Sequence, residues 1–309
     1  MKKRTFSVLI LPSLLALAFL ISSCDNSTTE PTQTTAVRPA SNFRAYSASS
    51  TSIGLKWSAS LDENSSAVAD PAYRISIRDS VGTSLEIQAA KGRDSAVVTG
   101  LVEGRVYTFT LKVNPGTNAT STDSVMVRWA PASRFNTSGT LPIDVFETAS
   151  STFPSGLDIF SSTAGGPNTL SLLSASNSLI DLFVHTDTTT TDLLIRSASL
   201  SMAIATPKTT LFSTVSTNAD NLDDPQIAPP GASSYSTLEI RVSGSTSGAT
   251  TGKIFYGRTQ ENNYFRLLVT RNSTSLVFGS SPDRALRFRI SYQSVTGVPF
   301  AKPINPEPY

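Results

Sequence analysis

Cysteine and histidine are almost absent from this chain of 309 residues, in which Cys24 and His185 are the only examples. A lone cysteine excludes an internal disulfide. A single histidine disfavours a zinc site, which usually has several histidine or cysteine ligands. His185 could be the base of a Ser-His-Asp triad, but no Gly-x-Ser-x-Gly elbow occurs, and no Gly-x-x-x-x-Gly-Lys-Ser/Thr phosphate loop is present. These gaps predict a chain that is not an enzyme and holds no metal or cofactor.

Charged residues are also scarce, at 16% of the chain. There are 25 lysines and arginines against 23 aspartates and glutamates, and removal of Lys2, Lys3 and Arg4 would leave 22 against 23. With nearly equal numbers of basic and acidic residues, the chain lacks the excess of positive charge that binds nucleic acid or an anionic membrane surface. We therefore expect no nucleic-acid partner.

The N-terminus contains the one long apolar run, residues 8–21, behind the three basic residues. It ends at Ile21-Ser22-Ser23-Cys24, with an aliphatic residue and two small residues before the cysteine. These are the parts of a secretory signal, and the run is too short for a comfortable membrane span. The pattern resembles a bacterial lipoprotein signal. That resemblance implies that residues 1–24 are a signal peptide ending at a lipidated Cys24, which carries acyl chains such as palmitate.

The same resemblance implies a location. The protein would be lipid-anchored in the cell envelope, with the membrane as a partner through its N-terminal lipid. The outer membrane or cell surface is favoured over the periplasmic face of the inner membrane. Residues 25–39 are rich in threonine and proline and have little to bury, which predicts a disordered tether between the anchor and the rest of the chain.

Residues 40–131 contain short alternating segments separated by turn signals, which indicates an antiparallel β-sandwich. The predicted strands are 52–57, 73–78, 84–88, 94–98, 106–113 and 124–129. Trp57 ends the first of these strands, Tyr73 opens the second, and Leu101, Gly104 and Tyr107 lead into the fifth. This arrangement resembles a fibronectin type III domain. The resemblance implies that Trp57, Tyr73 and Leu101 belong to its core and that Tyr107 is its tyrosine corner.

Residues 132–299 also read as β-rich and predict a second, sandwich-like all-β domain, followed by a proline-rich tail at 300–309. The whole chain is thus expected to be all-β. The predicted strands in this second part are 157–160, 179–184, 193–196, 199–203, 235–242, 253–259, 264–270 and 285–292.

Few side chains in the second half carry chemistry. Asp158 and Asp181 each interrupt an apolar strand, and an inward pair could act as acid and base or line a sugar site. The ordinary interpretation places them at turns or on an exposed face. The acidic segment 220–224 lacks the spacing of a calcium loop, which favours a helix N-terminus or a solvated loop. Tyr256 and Tyr264 flank the hairpin 253–270 and are the candidates for an exposed, ligand-binding aromatic pair.

Short elements of the second half, at 156–160, 180–182 and 256–267, resemble HmuY-type β-rich surface lipoproteins. Those proteins bind haem through axial histidines, whereas this chain has one histidine. The leading hypothesis is a non-enzymatic cell-envelope lipoprotein whose β-sandwiches serve binding, adhesion or spacing, with an unidentified protein or glycan partner. The alternative is a lipoprotein that captures haem or a glycan through its C-terminal β-domain.

Overall fold

The computed structural model describes residues 34–121, 123–222, 234–243 and 249–299. The predicted signal peptide with Cys24, most of the tether, part of the acidic segment and the proline-rich tail lie outside these residues. Within the described residues the fold is all-β, as predicted, and no helix combines the length and the hydropathy that crossing a bilayer requires.

Nine strands build the first part of the fold. They are β1 (Thr35–Ala36), β2 (Ser41–Ser49), β3 (Ser52–Ser58), β4 (Val68–Asp79), β5 (Ser84–Ala89), β6 (Ser95–Val98), β7 (Tyr107–Pro115), β8 (Ala119–Thr120) and β9 (Ser124–Trp129). One sheet has the order β2-β3-β6 and the other β5-β4-β7-β9. Strands β1 and β8 form a separate parallel pair. We call this part the first sandwich.

Alternation explains the core of the first sandwich. In β7, Tyr107, Phe109, Leu111 and Val113 are buried, whereas the residues between them are partly or fully exposed. Successive side chains of a strand point to opposite faces, so this row meets its counterparts from the opposite sheet. Burying each of these large side chains contributes about 1.5–3 kcal/mol.

The second part contains thirteen strands among the residues that the structure describes. They are β10 (Ser133–Phe135), β11 (Thr137–Ser138), β12 (Leu141–Phe146), β13 (Gly156–Ser161), β14 (Gly166–Leu170), β15 (Leu182–Thr186), β16 (Leu193–Ser197), β17 (Leu211–Asn218), β18 (Tyr235–Thr237), β19 (Glu239–Val242), β20 (Lys253–Arg258), β21 (Tyr264–Val269) and β22 (Ala285–Tyr292). Among the described residues, short 3₁₀ helices lie at Asn177–Leu179 and Ala198–Leu200.

These strands form two antiparallel sheets that share one core. The larger has the order β11-β12-β22-β21-β20-β17-β18, with β10 also paired to β22, and the smaller has the order β14-β13-β15-β16-β19. Ile143, Leu267 and Phe288 from the larger sheet and Leu157 and Ile195 from the smaller one lie in the same buried cluster. Two sheets facing one apolar layer make a sandwich. We call this part the second sandwich.

Three expectations need correction. The predicted tether at 25–39 is wrong at its end, because Thr35 and Ala36 pair with β8 and Val37 is buried in the first core. The predicted strand at 199–203 is wrong, because a 3₁₀ helix begins at Ala198 and turns follow it. The predicted strand at 179–184 begins only at Leu182. The domain boundary at 131 and the proline-rich tail stay predictions.

Candidate binding cleft

The segment that joins the two sandwiches is buried and hydrogen-bonded from both sides. Ala130 and Ala132 are almost inaccessible to solvent. From the first sandwich, Ser47 Oγ donates to the carbonyl of Ala130 at 2.9 Å, and from the second, Gln293 Nε2 donates to the carbonyl of Pro131 at 2.9 Å. A linker with its polar groups paired in a dry environment has little freedom to bend.

Gly104 brings the two sandwiches into close contact. Its φ is +73°, which glycine adopts at no steric cost, and its N–H donates to the carbonyl of Pro131 at 3.2 Å. A β-carbon at this position would lie 2.3 Å from a side-chain atom of Val295 in the second sandwich. Beside it, Glu103 accepts hydrogen bonds from the N–H and the hydroxyl of Ser133. The turn before β7 therefore serves as a contact surface.

Trp129, at the end of β9, completes the junction. Its indole N–H donates to Ser47 Oγ at 2.9 Å, and the guanidinium of Arg266 on β21 lies 5.2 Å from a ring centroid of the indole. Both side chains are at least 95% buried. A desolvated cation over an aromatic ring contributes about 2 kcal/mol. One contact thus links the last strand of the first sandwich to a central strand of the second.

An open cleft of about 450 Å³ lies beside this junction. Its walls come from the ends of β4, β7 and β9 and from the chain after β22. The lining residues are Asp79, Ser80, Val106, Thr108, Arg128, Trp129, Ala130, Gly297, Val298 and Pro299. Small-molecule sites commonly have volumes of about 300–1,000 Å³ and form where two domains meet.

Hydrogen bonds within the second sandwich hold in place the segment that lines the cleft on that side. The N–H of Gly297 donates to the carbonyl of Asn262 at 2.9 Å, and Asn262 lies in the turn between β20 and β21. Asn263, the next residue, donates through its amide nitrogen to the carbonyls of Gln293 and Ser294. The segment that ends at Pro299 is therefore tied to the β20–β21 turn, so both walls of the cleft belong to ordered structure.

The two charged side chains of the cleft differ in their partners. Asp79 accepts from Arg105 Nη1 at 3.0 Å and from the backbone N–H groups of Val81 and Thr83 at 3.1 and 2.7 Å. Burial raises the pKa of Asp79, but these hydrogen bonds outweigh it and leave the pKa lowered, so the carboxylate is charged and fully partnered. Arg128 is exposed. Among the described residues its side chain donates one hydrogen bond, from Nε to Thr108 Oγ1 at 3.3 Å.

The four predicted core residues of the first sandwich lie together in its buried cluster. Trp57 packs edge-on against Tyr73 with ring centroids 5.5 Å apart. The Tyr73 hydroxyl accepts from the N–H of Ser60 at 3.0 Å, and burial raises the pKa of Tyr73 to about 12. Leu101 is buried, and the hydroxyl of Tyr107 accepts from the backbone N–H of Val102 at 3.0 Å. This last bond has the geometry of a tyrosine corner.

The family model for the fibronectin type III domain matches residues 37–124. The chain carries a fibronectin type III domain. Among solved structures, the chain is similar to the fibronectin type III domain of human collagen alpha-1(XX), at 14% identity and a TM-score of 0.27, covering 32% of this chain and 88% of that one. It is also similar to the FN5 domain of Drosophila Lar, at 16% identity and a TM-score of 0.23, covering 31% and 97% of the two chains. No curated protein sequence matches the chain.

Tyr256 and Tyr264, the candidates for an exposed pair, are both buried, so the expectation of exposure is wrong. They lie outside the fibronectin type III domain on one face of the β20–β21 hairpin, where Tyr264 packs edge-on against Tyr235 at 5.3 Å. The hydroxyl of Tyr256 is 3.3 Å from Thr217 Oγ1. This face of the larger sheet is covered. Side chains that alternate onto it are therefore buried, and the two tyrosines do not form an exposed row.

Asp158 and Asp181 are both buried in the second sandwich and lie near one lysine. Asp181 accepts from the N–H of Ile159 at 2.9 Å and from Lys208 Nζ at 3.3 Å, and Lys208 also approaches the exposed Glu261 at 3.5 Å. Burial raises the pKa of Asp181 to about 7, against the lowering effect of Lys208. Burial also raises the pKa of Asp158. Each of the two aspartates is at most 3% exposed, so neither carboxylate is open to a substrate in solvent.

His185 is a half-buried residue of β15, one position before that strand ends at Thr186. Its Nδ1 lies 3.2 Å from Thr148 Oγ1, and its ring packs edge-on against Phe183 at 6.1 Å. Burial lowers its pKa. In the described parts of the chain, no group of three or more histidine, cysteine, aspartate and glutamate side chains is placed to hold a metal ion. Capture of haem through the second sandwich stays a prediction.

Sequence reasoning missed the cleft. Its walls come from positions 79, 106, 128 and 297, which no local pattern connects. One signal was available in the pair Arg128-Trp129, where a cation and an aromatic side chain end the last strand of the fibronectin type III domain next to a short linker.

Proposed function

We propose that this chain is a non-enzymatic lipoprotein of the cell envelope that holds a rigid pair of β-sandwiches away from the membrane and presents their junction for binding. The signal pattern that ends at Cys24 supports the anchor, and acyl chains contribute about 0.8 kcal/mol per buried CH₂ group. The fibronectin type III domain is a binding or structural module, and it covers the N-terminal part of the described chain.

The observation that carries this proposal is the buried linker at residues 130–132. Because its carbonyls accept hydrogen bonds from both sandwiches, and because Trp129 meets Arg266 across the junction, the two bodies move together. A rigid arm keeps a binding site at a fixed distance and orientation, whereas a flexible joint would not. The cleft lies at this junction, so rigidity also preserves its shape.

The anchor is tested by fractionation of cells that express the full chain. We expect the protein in the membrane fraction, released by detergent, and labelled by radioactive palmitate. Cys24→Ala should lose the label, whereas Ser23→Ala, which keeps a small residue before the cysteine, should retain it. Equal labelling of the Cys24→Ala chain, or no labelling of wild type, would contradict the anchor. Protease treatment of intact cells then tests surface exposure.

The rigid arm is tested separately by spin labels on two exposed positions, Glu86 in the fibronectin type III domain and Ser280 in the second sandwich. A single narrow distance distribution is expected. Breaking the junction with Trp129→Ala should broaden it, whereas Leu61→Ala, which removes an exposed side chain far from the linker in sequence, should leave it narrow. A broad distribution in wild type would contradict the proposal.

A further inference from the structure

The cleft between the sandwiches has an unbalanced charge. Asp79 is satisfied by Arg105 and by two backbone N–H groups, so the net charge of that ion pair is zero. Arg128 forms no ion pair with a carboxylate among the described residues, and its guanidinium keeps both terminal nitrogens available after Nε has donated to Thr108. The cleft therefore presents one uncompensated positive charge.

The remaining walls are largely apolar. Val106, Trp129 and Ala130 come from the first sandwich, and Val298 and Pro299 from the second. A ligand that fills a volume of about 450 Å³ against these side chains would bury hydrocarbon or an aromatic ring, which is favourable at roughly 25 cal/mol per Å². The ligand chemistry must therefore combine an apolar body with one negative group.

We propose that this cleft binds an apolar monocarboxylate, with the carboxylate on Arg128 and the apolar body between Trp129 and Val298. The planar guanidinium fork matches a carboxylate with two parallel N–H donors, and charge-assisted bonds of this kind are stronger than neutral ones. One positive charge balances one carboxylate, whereas a phosphate dianion would bring a second charge that no cationic side chain of the cleft compensates.

This chemistry has two sources, a free small acid or the C-terminus of a peptide that ends in an apolar residue. Both carry the same carboxylate beside an apolar group. The inference rests on the binding role proposed above but not on the lipid anchor. Ligand titration tests the carboxylate site. Palmitate labelling and spin-label distances test the lipid anchor and the rigid arm, so failure of one proposal can be told from failure of the other.

The test is calorimetric titration of the detergent-solubilised full chain, with empty micelles as the blank. The free-acid probe is 3-phenylpropionate and its neutral match is 3-phenylpropionamide. The peptide probe is N-acetyl-Leu-Phe with a free carboxylate, matched by the same dipeptide as its amide. We expect saturable binding of at least one acid and at least tenfold weaker binding of its amide. Whichever acid binds more tightly identifies the source.

Two variants assign the site. Arg128→Gln removes the charge of an exposed side chain, and we expect it to weaken acid binding at least tenfold while leaving the unfolding midpoint unchanged. Arg289→Gln, which removes another exposed arginine charge outside the cleft lining, should bind like wild type. The fluorescence of Trp129 should change on binding, because Trp129 is one of the residues that line the cleft. Absence of saturable binding by either acid, equal binding of acid and amide, or an unchanged affinity in Arg128→Gln would overturn the proposal.

Discussion

Replacing Asp181 by asparagine should remove a pH dependence of stability that this buried carboxylate creates. Its pKa in the folded protein is about 7, against 3.8 for an ordinary aspartate, because burial disfavours the charged form. As pH rises from about 4 to about 7, the unfolded chain releases this proton and the folded chain retains it. The free energy of unfolding therefore falls across this window and levels off above it.

The magnitude follows from the two pKa values. Their difference corresponds to at most about 4 kcal/mol of stability lost between pH 4 and pH 8. Asparagine resembles the protonated carboxyl in shape, and its side-chain oxygen can still accept from the N–H of Ile159. Asp181→Asn should match wild type near pH 3.5 and exceed it near pH 8.

Urea unfolding followed by tryptophan fluorescence at several pH values measures this difference. His185 titrates in the same window with the opposite sign, because burial lowers its pKa, and subtraction of the two proteins' curves cancels its effect. The control is Glu86→Gln, which neutralises an exposed carboxylate and so tests whether the loss of any carboxylate changes the slope as Asp181→Asn does. An equal slope in Asp181→Asn and wild type would refute the reasoning.

Three further substitutions test the junction, the tyrosine corner and a buried ion pair. Gly104→Ala should lower the free energy of unfolding by about 2–4 kcal/mol, because its φ is positive and the new methyl group meets Val295. Tyr107→Phe should cost about 1 kcal/mol, because it removes one hydrogen bond to a backbone N–H. Arg284→Met should cost about 3–5 kcal/mol, because it leaves the carboxylate of Glu147 buried without its partner. Urea unfolding measures all three.

Each of these three substitutions has a matched control in the same chain. Gly92 also has a positive φ but no atom near its missing β-carbon, so Gly92→Ala should cost less than Gly104→Ala. The buried hydroxyl of Tyr235 has no hydrogen-bond partner among the described residues, so Tyr235→Phe should cost nothing. Arg196→Met breaks the more exposed pair with Glu239 and should cost at most about 1 kcal/mol. Equal losses within any matched pair would contradict the corresponding mechanism.

The first sandwich was largely predictable, because period-2 alternation places Tyr107, Phe109, Leu111 and Val113 on one face without reference to the rest of the chain. Strand β2 was not identified individually, since register shifts near Ser41 and Ser49 interrupt its alternation. In the second sandwich both faces of β21 are buried, so alternation cannot separate inward from outward positions.

The cleft was not predictable from local patterns because it depends on how the two sandwiches meet. The proximity of Val298 to Arg128 arises from tertiary packing, and no propensity or spacing reports it. The same is true of Arg266, which reads as an outward residue of a strand but is buried because its guanidinium lies over Trp129.

The absent side chain of Gly104 has a consequence for how this fibronectin type III domain could be exchanged between proteins. A domain that can be exchanged freely between proteins must have a surface that makes no specific contacts with the adjacent domain. Here the turn before β7 is recessed at one position to receive Val295, and the indole at the end of β9 is shaped to receive a guanidinium. Transplanting the domain alone would leave a hollow and an uncovered ring, so the two sandwiches are best inherited, expressed and engineered as a matched pair.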